Sequence, residues 1–292
     1  MIEVRSLTKC YGEHRAVDGL TLTAPAGQVT GFLGPNGAGK TTTFRCLLGL
    51  AEPTAGEALI GGRRYRDLDQ PRRQVGALLE STGFHPARTG RNHLRIIARA
   101  ACIGPARIDT LLELVGLRSA ADRRVGGYSL GMRQRLGLAA AMLGDPPVVV
   151  LDEPANGLDP EGVAWVRRLL RAWADQGRCV VVASHVLAEV AQVVDRVVII
   201  RDGQLIEETE LAALADAVIV RVDRPDAMVK TLRDDGVDHQ ILGDGAISVA
   251  GRDTAEVGAL AVRAGVTVTE LARRSPGETL EARFLAAVGS ER

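Results

Sequence analysis

The chain has 292 residues, 46% of them hydrophobic but only 3% aromatic, and its 36 Lys+Arg balance its 36 Asp+Glu. This length accommodates one large α/β domain and a small second one, with cores of Ala, Val, Leu and Ile, and the composition excludes a disordered chain. Zero net charge excludes a global field that would hold the whole protein on nucleic acid or an anionic bilayer.

Ile2, Val4 and Leu7 alternate with polar residues, and Leu20, Leu22 and the run Val29–Leu33 follow turn signals at Asp18-Gly19 and Pro25-Ala26-Gly27, which predicts short strands. Ala58–Ile60 leads into Gly61-Gly62, a hairpin turn assigned to the same antiparallel group. The short apolar run Val75–Leu79 predicts a strand buried on both faces. From Pro86 to about Arg124 apolar residues recur at three- and four-residue spacing, which defines a helical insertion over about 85–130.

Next come a helix (Met132–Leu143), a strand (Val148–Leu151), a helix (Val163–Asp175), a strand (Cys179–Ala183), a helix (Ala188–Val193) and a strand (Val197–Ile200). Such alternation implies a parallel sheet covered by helices. Asp202-Gly203 turns the chain back through Gln204–Glu208, and a helical stretch near Glu210–Leu214 leads to a boundary near Ala215. The expected domains are therefore 1–214 and 215–292. Beyond the boundary the order strand (Val218–Val222), helix (Asp226–Asp234), strands (His239–Leu242, Ile247–Val249), helix (Thr254–Ala264) and strand (Val266–Leu271) is the split pattern of a ferredoxin-like α+β domain, closed by a helix over Leu280–Val288.

Cys10, Cys46, Cys102 and Cys179 form no CxxC pair and no metal-ligand cluster, which points to reduced thiols in a cytoplasmic protein. No signal-peptide pattern opens the chain, and no run approaches the ~18 apolar residues of a membrane helix. Any membrane contact is expected to pass through a partner.

Gly34-Pro35-Asn36-Gly37-Ala38-Gly39-Lys40-Thr41 follows an apolar strand and opens a helical segment, the context of a Walker A phosphate loop. Gly37 and Gly39 permit a backbone whose N–H groups converge on phosphates at the positive end of a helix dipole. Lys40 adds a point charge for the β and γ oxygens, and Thr41 offers a hydroxyl to Mg²⁺. Val148–Leu151 then delivers Asp152, a carboxylate placed to hold Mg²⁺ through water, and Glu153, placed to accept a proton from an attacking water.

The order of that loop, Tyr128-Ser129-Leu130-Gly131-Met132-Arg133-Gln134-Arg135, Asp152-Glu153, Gly157-Leu158-Asp159 and Ser184-His185 resembles the nucleotide-binding subunits of ABC transporters over Met1 to Leu214. The resemblance implies a P-loop α/β fold with an antiparallel β subdomain and a helical insertion, and ATP as the nucleotide. It also implies a homodimer sandwiching ATP at its interface and an integral membrane permease as partner, with the chain attached peripherally to the inner face of the cell membrane. By the same likeness Tyr11 stacks on adenine, His185 contacts the γ-phosphate, Ser129 and Gly131 face the ATP of the partner subunit, and Asp159 lies in the loop between the two sites.

The expected nucleotide set is Tyr11, Gly34, Pro35, Asn36, Gly37, Ala38, Gly39, Lys40, Thr41, Thr42, Ser129, Gly131 and Asp159. Glu153, His185 and Lys40 form the catalytic set, and Thr41, Glu80 and Asp152 the metal set. Two departures stand out: the signature run loses the glutamine of Leu-Ser-Gly-Gly-Gln, and Glu80 replaces a glutamine. Both resemble the subgroup of bacitracin-transport and daunorubicin-resistance ATP-binding proteins, which makes export of an antibiotic or drug-like molecule the leading expectation. The competing readings are a soluble ABC-type ATPase acting on ribosomes or nucleic acid, and a regulatory module that binds nucleotide without hydrolysis.

Overall fold

Strand β1 (Ile2–Tyr11) buries Ile2, Val4 and Leu7, a spacing that breaks strict alternation after Val4. A register irregularity between Val4 and Leu7, with Ser6 at φ 46°, is a bulge that restores Leu7 to the buried face. β1 pairs antiparallel with β2 (His14–Ala24). β3 (Val29–Leu33) is buried at every position and leads through the glycine-rich loop into α1 (Lys40–Leu47). β4 (Ala55–Ile60) returns to the other edge of β1, giving a three-stranded sheet β2-β1-β4. The Gly61-Gly62 turn belongs to this group as expected, but it closes only a single bridge between Ile60 and Arg63.

The computed structural model describes residues 1–79, 83–185, 191–211, 217–242 and 245–274, together with 278, 280 and 284. After the short helix α2 (Pro71–Gln74) comes β5 (Val75–Leu78). β5 carries buried residues on both faces, Val75 on one and Gly76 and Leu78 on the other, with Ala77 exposed, and it is an edge strand paired only with β6. The insertion follows as α3 (Gly90–Ala100) and α4 (Ala106–Leu114), with α3 capped by the Thr89 side chain, which accepts from the Asn92 amide. The Tyr128 hydroxyl donates to the Ala120 carbonyl at 2.6 Å, and a side chain at Gly90 would meet that hydroxyl, so the glycine admits the contact.

α5 (Leu130–Ala141), β6 (Val148–Asp152), α6 (Pro160–Asp175), β7 (Cys179–Ser184), β8 (Arg196–Arg201) and β9 (Gln204–Glu210) complete the larger sheet. Its order is β5-β6-β7-β3-β8-β9, parallel from β5 through β8. β6 and β7 are fully buried valine-rich runs, as a strand covered on both faces requires. α5 and α6 begin two and three residues before their expected starts, because Ser129 and Asp159 cap them and Pro160 fits the first turn. The expected helix Ala188–Val193 lies partly outside the described residues, and its described part, 191–193, is a turn.

Packing divides the chain into Met1–Glu208 and Thr209–Arg292, so the division falls inside β9, ahead of 215. The second unit contains β10 (Ala217–Val222), α7 (Pro225–Asp234), β11 (His239–Ile241), β12 (Ile247–Ala250), α8 (Thr254–Ala264) and β13 (Val268–Arg274). The antiparallel order β11-β12-β10-β13 is the split βαβ arrangement of a ferredoxin-like domain. Val218, Val220, Met228, Leu232 and Val257 form its core, and Asp253 with Glu256 makes a capping box at the start of α8. Most of the expected stretches Glu210–Leu214 and Leu280–Val288 lies outside the described residues; Leu280 and Phe284 are helical.

Candidate active site

β6, β7 and β3 lie side by side and run parallel, so whatever follows their C-terminal ends shares one edge of the sheet. The loop Gly34–Gly39 follows β3, Glu153 follows β6 and His185 follows β7. These segments bound a cleft of about 660 Å³ lined by Tyr11, His14, Ala16, Asn36 to Thr42, Asp152, Glu153, Asn156 and His185. That volume falls in the usual range for a small-molecule site.

Gly39 is the N-cap of α1 with φ 101°, a left-handed conformation, and a Cβ there would run into the Ala16 carbonyl oxygen. Both facts demand glycine. No side chain caps α1, in contrast to α3, α5 and α6, so its first-turn amides and positive dipole end remain for an anion. Lys40 is buried, and its Nζ donates to the carbonyls of Gly34 at 2.6 Å and Pro35 at 3.1 Å. Gly34 and Pro35 thus shape the lysine from behind without lining the cleft.

The Thr41 hydroxyl donates to Asp152 Oδ2 at 2.6 Å, which brings two hard oxygen ligands together beside the phosphate loop. Mg²⁺ in such sites takes one or two protein oxygens and completes its shell with water and substrate phosphates, and this pair fits that demand. Glu80, the third expected ligand, lies outside the described residues.

Glu153 adopts φ 50°, a left-handed backbone that a non-glycine residue holds only under constraint. The constraints are explicit: its amide donates to the Ala183 carbonyl at 3.0 Å, and its carbonyl accepts from Gln134 Nε2 at 2.8 Å and from the Asn156 amide at 3.1 Å. Its Oε1 accepts from the His185 amide at 3.0 Å and lies 2.8 Å from His185 Nδ1. The Glu153 side chain is 12% exposed and that of His185 48%, so the carboxylate is sheltered while the ring faces the cleft.

Tyr11 is half exposed at the rim, with Lys9 Nζ 4.8 Å from the centre of its ring. Ser129, Gly131 and Asp159 do not line the cleft. Ser129 accepts from the Met132 amide at 3.2 Å and Asp159 from the Gly162 amide at 2.8 Å, each capping its own helix. Leu130 packs on Gly157, whose lack of a side chain leaves room for it, and Gly131 lies against Leu158.

His14, Ala16 and Asn156 line the cleft but did not emerge from the sequence. His14 opposes Tyr11 across the β1–β2 turn, so the hairpin pairing was the available signal. Gln134 was also missed: the glutamine lost from the signature position has a counterpart two residues on, which binds the Glu153 main chain. Gln134→Leu is expected to lower kcat about tenfold with little change in KM for ATP in a steady-state assay, because the bond holds the Glu153 backbone and not the nucleotide.

This fold and cleft define a P-loop nucleoside triphosphatase. A family model described as "ABC transporter" matches residues 17–156, and a second, described as a domain of unknown function, matches 216–281. The bacitracin transport ATP-binding protein BcrA of Bacillus licheniformis is 44% identical over 211 residues, 71% of this chain and 69% of that protein. The lantibiotic transport ATP-binding protein SrtF of Streptococcus pyogenes is 33% identical, covering 72% and 91%. Among solved structures, an ATP-binding subunit of an ABC transporter superposes with a TM-score of 0.68 at 28% identity, over 73% of this chain and 91% of that one. The dimeric cassette MJ0796, also solved in a post-hydrolysis state with ADP and Pi, gives 0.67 at 25% identity, covering 72% and 98%.

The chain belongs to the ABC transporter family, as one of its ATP-binding, ATP-hydrolysing subunits. Among the described residues no helix is long and apolar enough to cross a membrane.

Proposed function

We propose that this subunit powers export of an antibiotic-like small molecule through a separate membrane permease, and that it works as a homodimer with ATP and Mg²⁺ at the interface. The likeness to BcrA carries the cargo class. The dimer draws support from the position of Ser129, Gly131 and Asp159: they lie outside the chain's own cleft, and MJ0796 forms a dimeric cassette. The attachment to the inner face of the membrane follows from the permease and is part of the same proposal, as is the division of labour between an ATPase domain over 1–214 and an accessory domain over 215–292.

In this reading Gly37, Gly39 and the first-turn amides of α1 cradle the phosphates, Lys40 turns from the loop carbonyls to the β and γ oxygens, and Tyr11 supports the base. Thr41 and Asp152 would hold Mg²⁺, with Glu80 as a further ligand. The ion supplies neutralisation of phosphate charge. Glu153 accepts the proton of the attacking water, and His185 holds that carboxylate in place while its ring reaches the γ-phosphate. The alternative of a soluble ATPase acting on ribosomes or nucleic acid draws no support from these relatives. Expression with its permease in a susceptible host tests the cargo class: bacitracin-type antibiotics should be tolerated only when both subunits are intact, and unchanged susceptibility would remove the antibiotic assignment.

A further inference from the structure

Lys9 and Tyr11 stand two residues apart on β1, so both side chains leave the same face of the strand. The half-buried Lys9 ammonium lies 4.8 Å from the centre of the Tyr11 ring and donates to the Glu52 carbonyl at 2.8 Å. The Glu52 carboxylate is taken by Arg66 at 3.1 Å, and among the described residues no carboxylate lies within ion-pair distance of Lys9. Its charge is therefore spent on a main-chain dipole and on the ring.

Glu52 belongs to the segment that leaves α1. The Leu50 and Ala51 amides donate to the Arg45 carbonyl at 2.8 and 3.1 Å, which fastens this segment to the end of the helix. Two more bonds fasten it to the end of β1: the Thr54 amide donates to the Thr8 carbonyl at 2.8 Å, and the Cys10 amide donates to the Thr54 hydroxyl at 3.0 Å. Across the hairpin, the register shift between Lys9 and Cys10 leaves Ala16 as an extra residue in β2, and its carbonyl lies against Gly39 at the N-terminus of α1. The strand end that carries Tyr11 is thereby anchored to both ends of the helix that opens on the cleft.

Resting on the proposed contact of Tyr11 with the base, we infer that Lys9 is a positioning residue for the purine of ATP. Its ammonium occupies one face of the Tyr11 ring, leaves the opposite face as the single stacking platform, and fixes that platform relative to the phosphate loop through Glu52. Two effects act in the same direction. Tyr11 is 47% exposed, and a ring ordered in advance does not give up its rotamer freedom when the base arrives. A cation on one face also draws electron density from the ring, which makes the opposite face a better partner for an electron-rich purine. Neither effect touches the phosphates, so the contribution of Lys9 is confined to ligands that carry a base.

The test is isothermal titration of the full chain with Mg²⁺-ATP and, separately, with Mg²⁺-tripolyphosphate, which has no base. Lys9→Met keeps the length of the side chain and removes its charge; it should raise the dissociation constant for ATP about 2–5-fold, the range of an exposed cation–π contact, and leave that for tripolyphosphate unchanged. The unchanged value also shows that the fold is intact. Lys9→Arg should bind ATP within about twofold of wild type, because a guanidinium also stacks on an aromatic face. Tyr11→Leu should itself weaken ATP and spare tripolyphosphate, and adding Lys9→Met to it should cost nothing more. Wild-type affinity for ATP in Lys9→Met beside a weakened Tyr11→Leu overturns the inference and leaves the base contact of Tyr11 standing. Equal weakening of ATP and tripolyphosphate by Lys9→Met overturns it in favour of a general attraction for phosphate. Full additivity in the double variant overturns it as well, since Lys9 would then act by a route other than the ring. Unchanged ATP binding by Tyr11→Leu removes the base contact and the inference together.

Discussion

Glu153→Gln is expected to bind ATP as tightly as the wild-type chain and to lose turnover by about 10²–10⁴-fold, the usual contribution of a positioned general base. The substitution is nearly isosteric. A glutamine Oε1 can still accept from the His185 amide, now at 3.0 Å from Glu153, and the left-handed backbone stays pinned by Ala183, Gln134 and Asn156. What disappears is the capacity to take a proton as the water attacks. A loss of that size corresponds to about 3–5.5 kcal/mol of transition-state stabilisation, and none of it should appear in the ground-state complex. Equilibrium binding of a fluorescent ATP analogue beside a phosphate-release assay separates the two quantities. Wild-type turnover in this variant would exclude Glu153 as the base.

Lys40→Ala is expected to fail earlier, at binding. The ammonium is held inside the loop by the Gly34 and Pro35 carbonyls, so its removal deletes the phosphate's point charge and the donor that orients the loop around it. A charge-assisted hydrogen bond lost at such a site raises the dissociation constant by roughly 10–100-fold, about 1.4–2.8 kcal/mol. Isothermal titration with ATP and Mg²⁺ measures it directly. The two variants therefore separate along the reaction coordinate, and an unchanged dissociation constant in Lys40→Ala would show that the loop amides alone hold the phosphates.

Gly34 to Thr41 was legible because its residues are contiguous: eight successive positions make one loop, six of them lining the cleft, and the strand before and helix after them are local patterns. Asp152 and Glu153 were legible because two carboxylates ending a valine run, a weak signal alone, supply what the phosphate loop still lacks. The pairing of Glu153 with His185, 32 residues apart in sequence, needed the parallel register of β6 and β7. Gln134 was hidden for a related reason. Its helix is periodic in the sequence, but the carbonyl it satisfies belongs to Glu153, 19 residues on and at a positive φ, which no sequence pattern announces. The burial of β5 was legible from its apolar run, but its place at the sheet edge was not, because such runs report burial without reporting lateral neighbours. The ferredoxin-like order was readable since each of its elements is short, regular and bounded by turn residues.

The seating of Leu130 on Gly157 has a consequence for how the two motifs can be altered. Gly157 stands at φ 74°, and any side chain there would overlap the leucine, while a glycine at position 130 would leave a hollow over Gly157. A side chain at 157 is therefore tolerated only if residue 130 becomes smaller, so the two positions, in separate motifs, are sterically coupled. The leucine that departs from the usual signature is thus an epistatic partner of the loop ending at Asp159, and transplanting the signature of a relative into this chain, one residue at a time, passes through a misfitted intermediate.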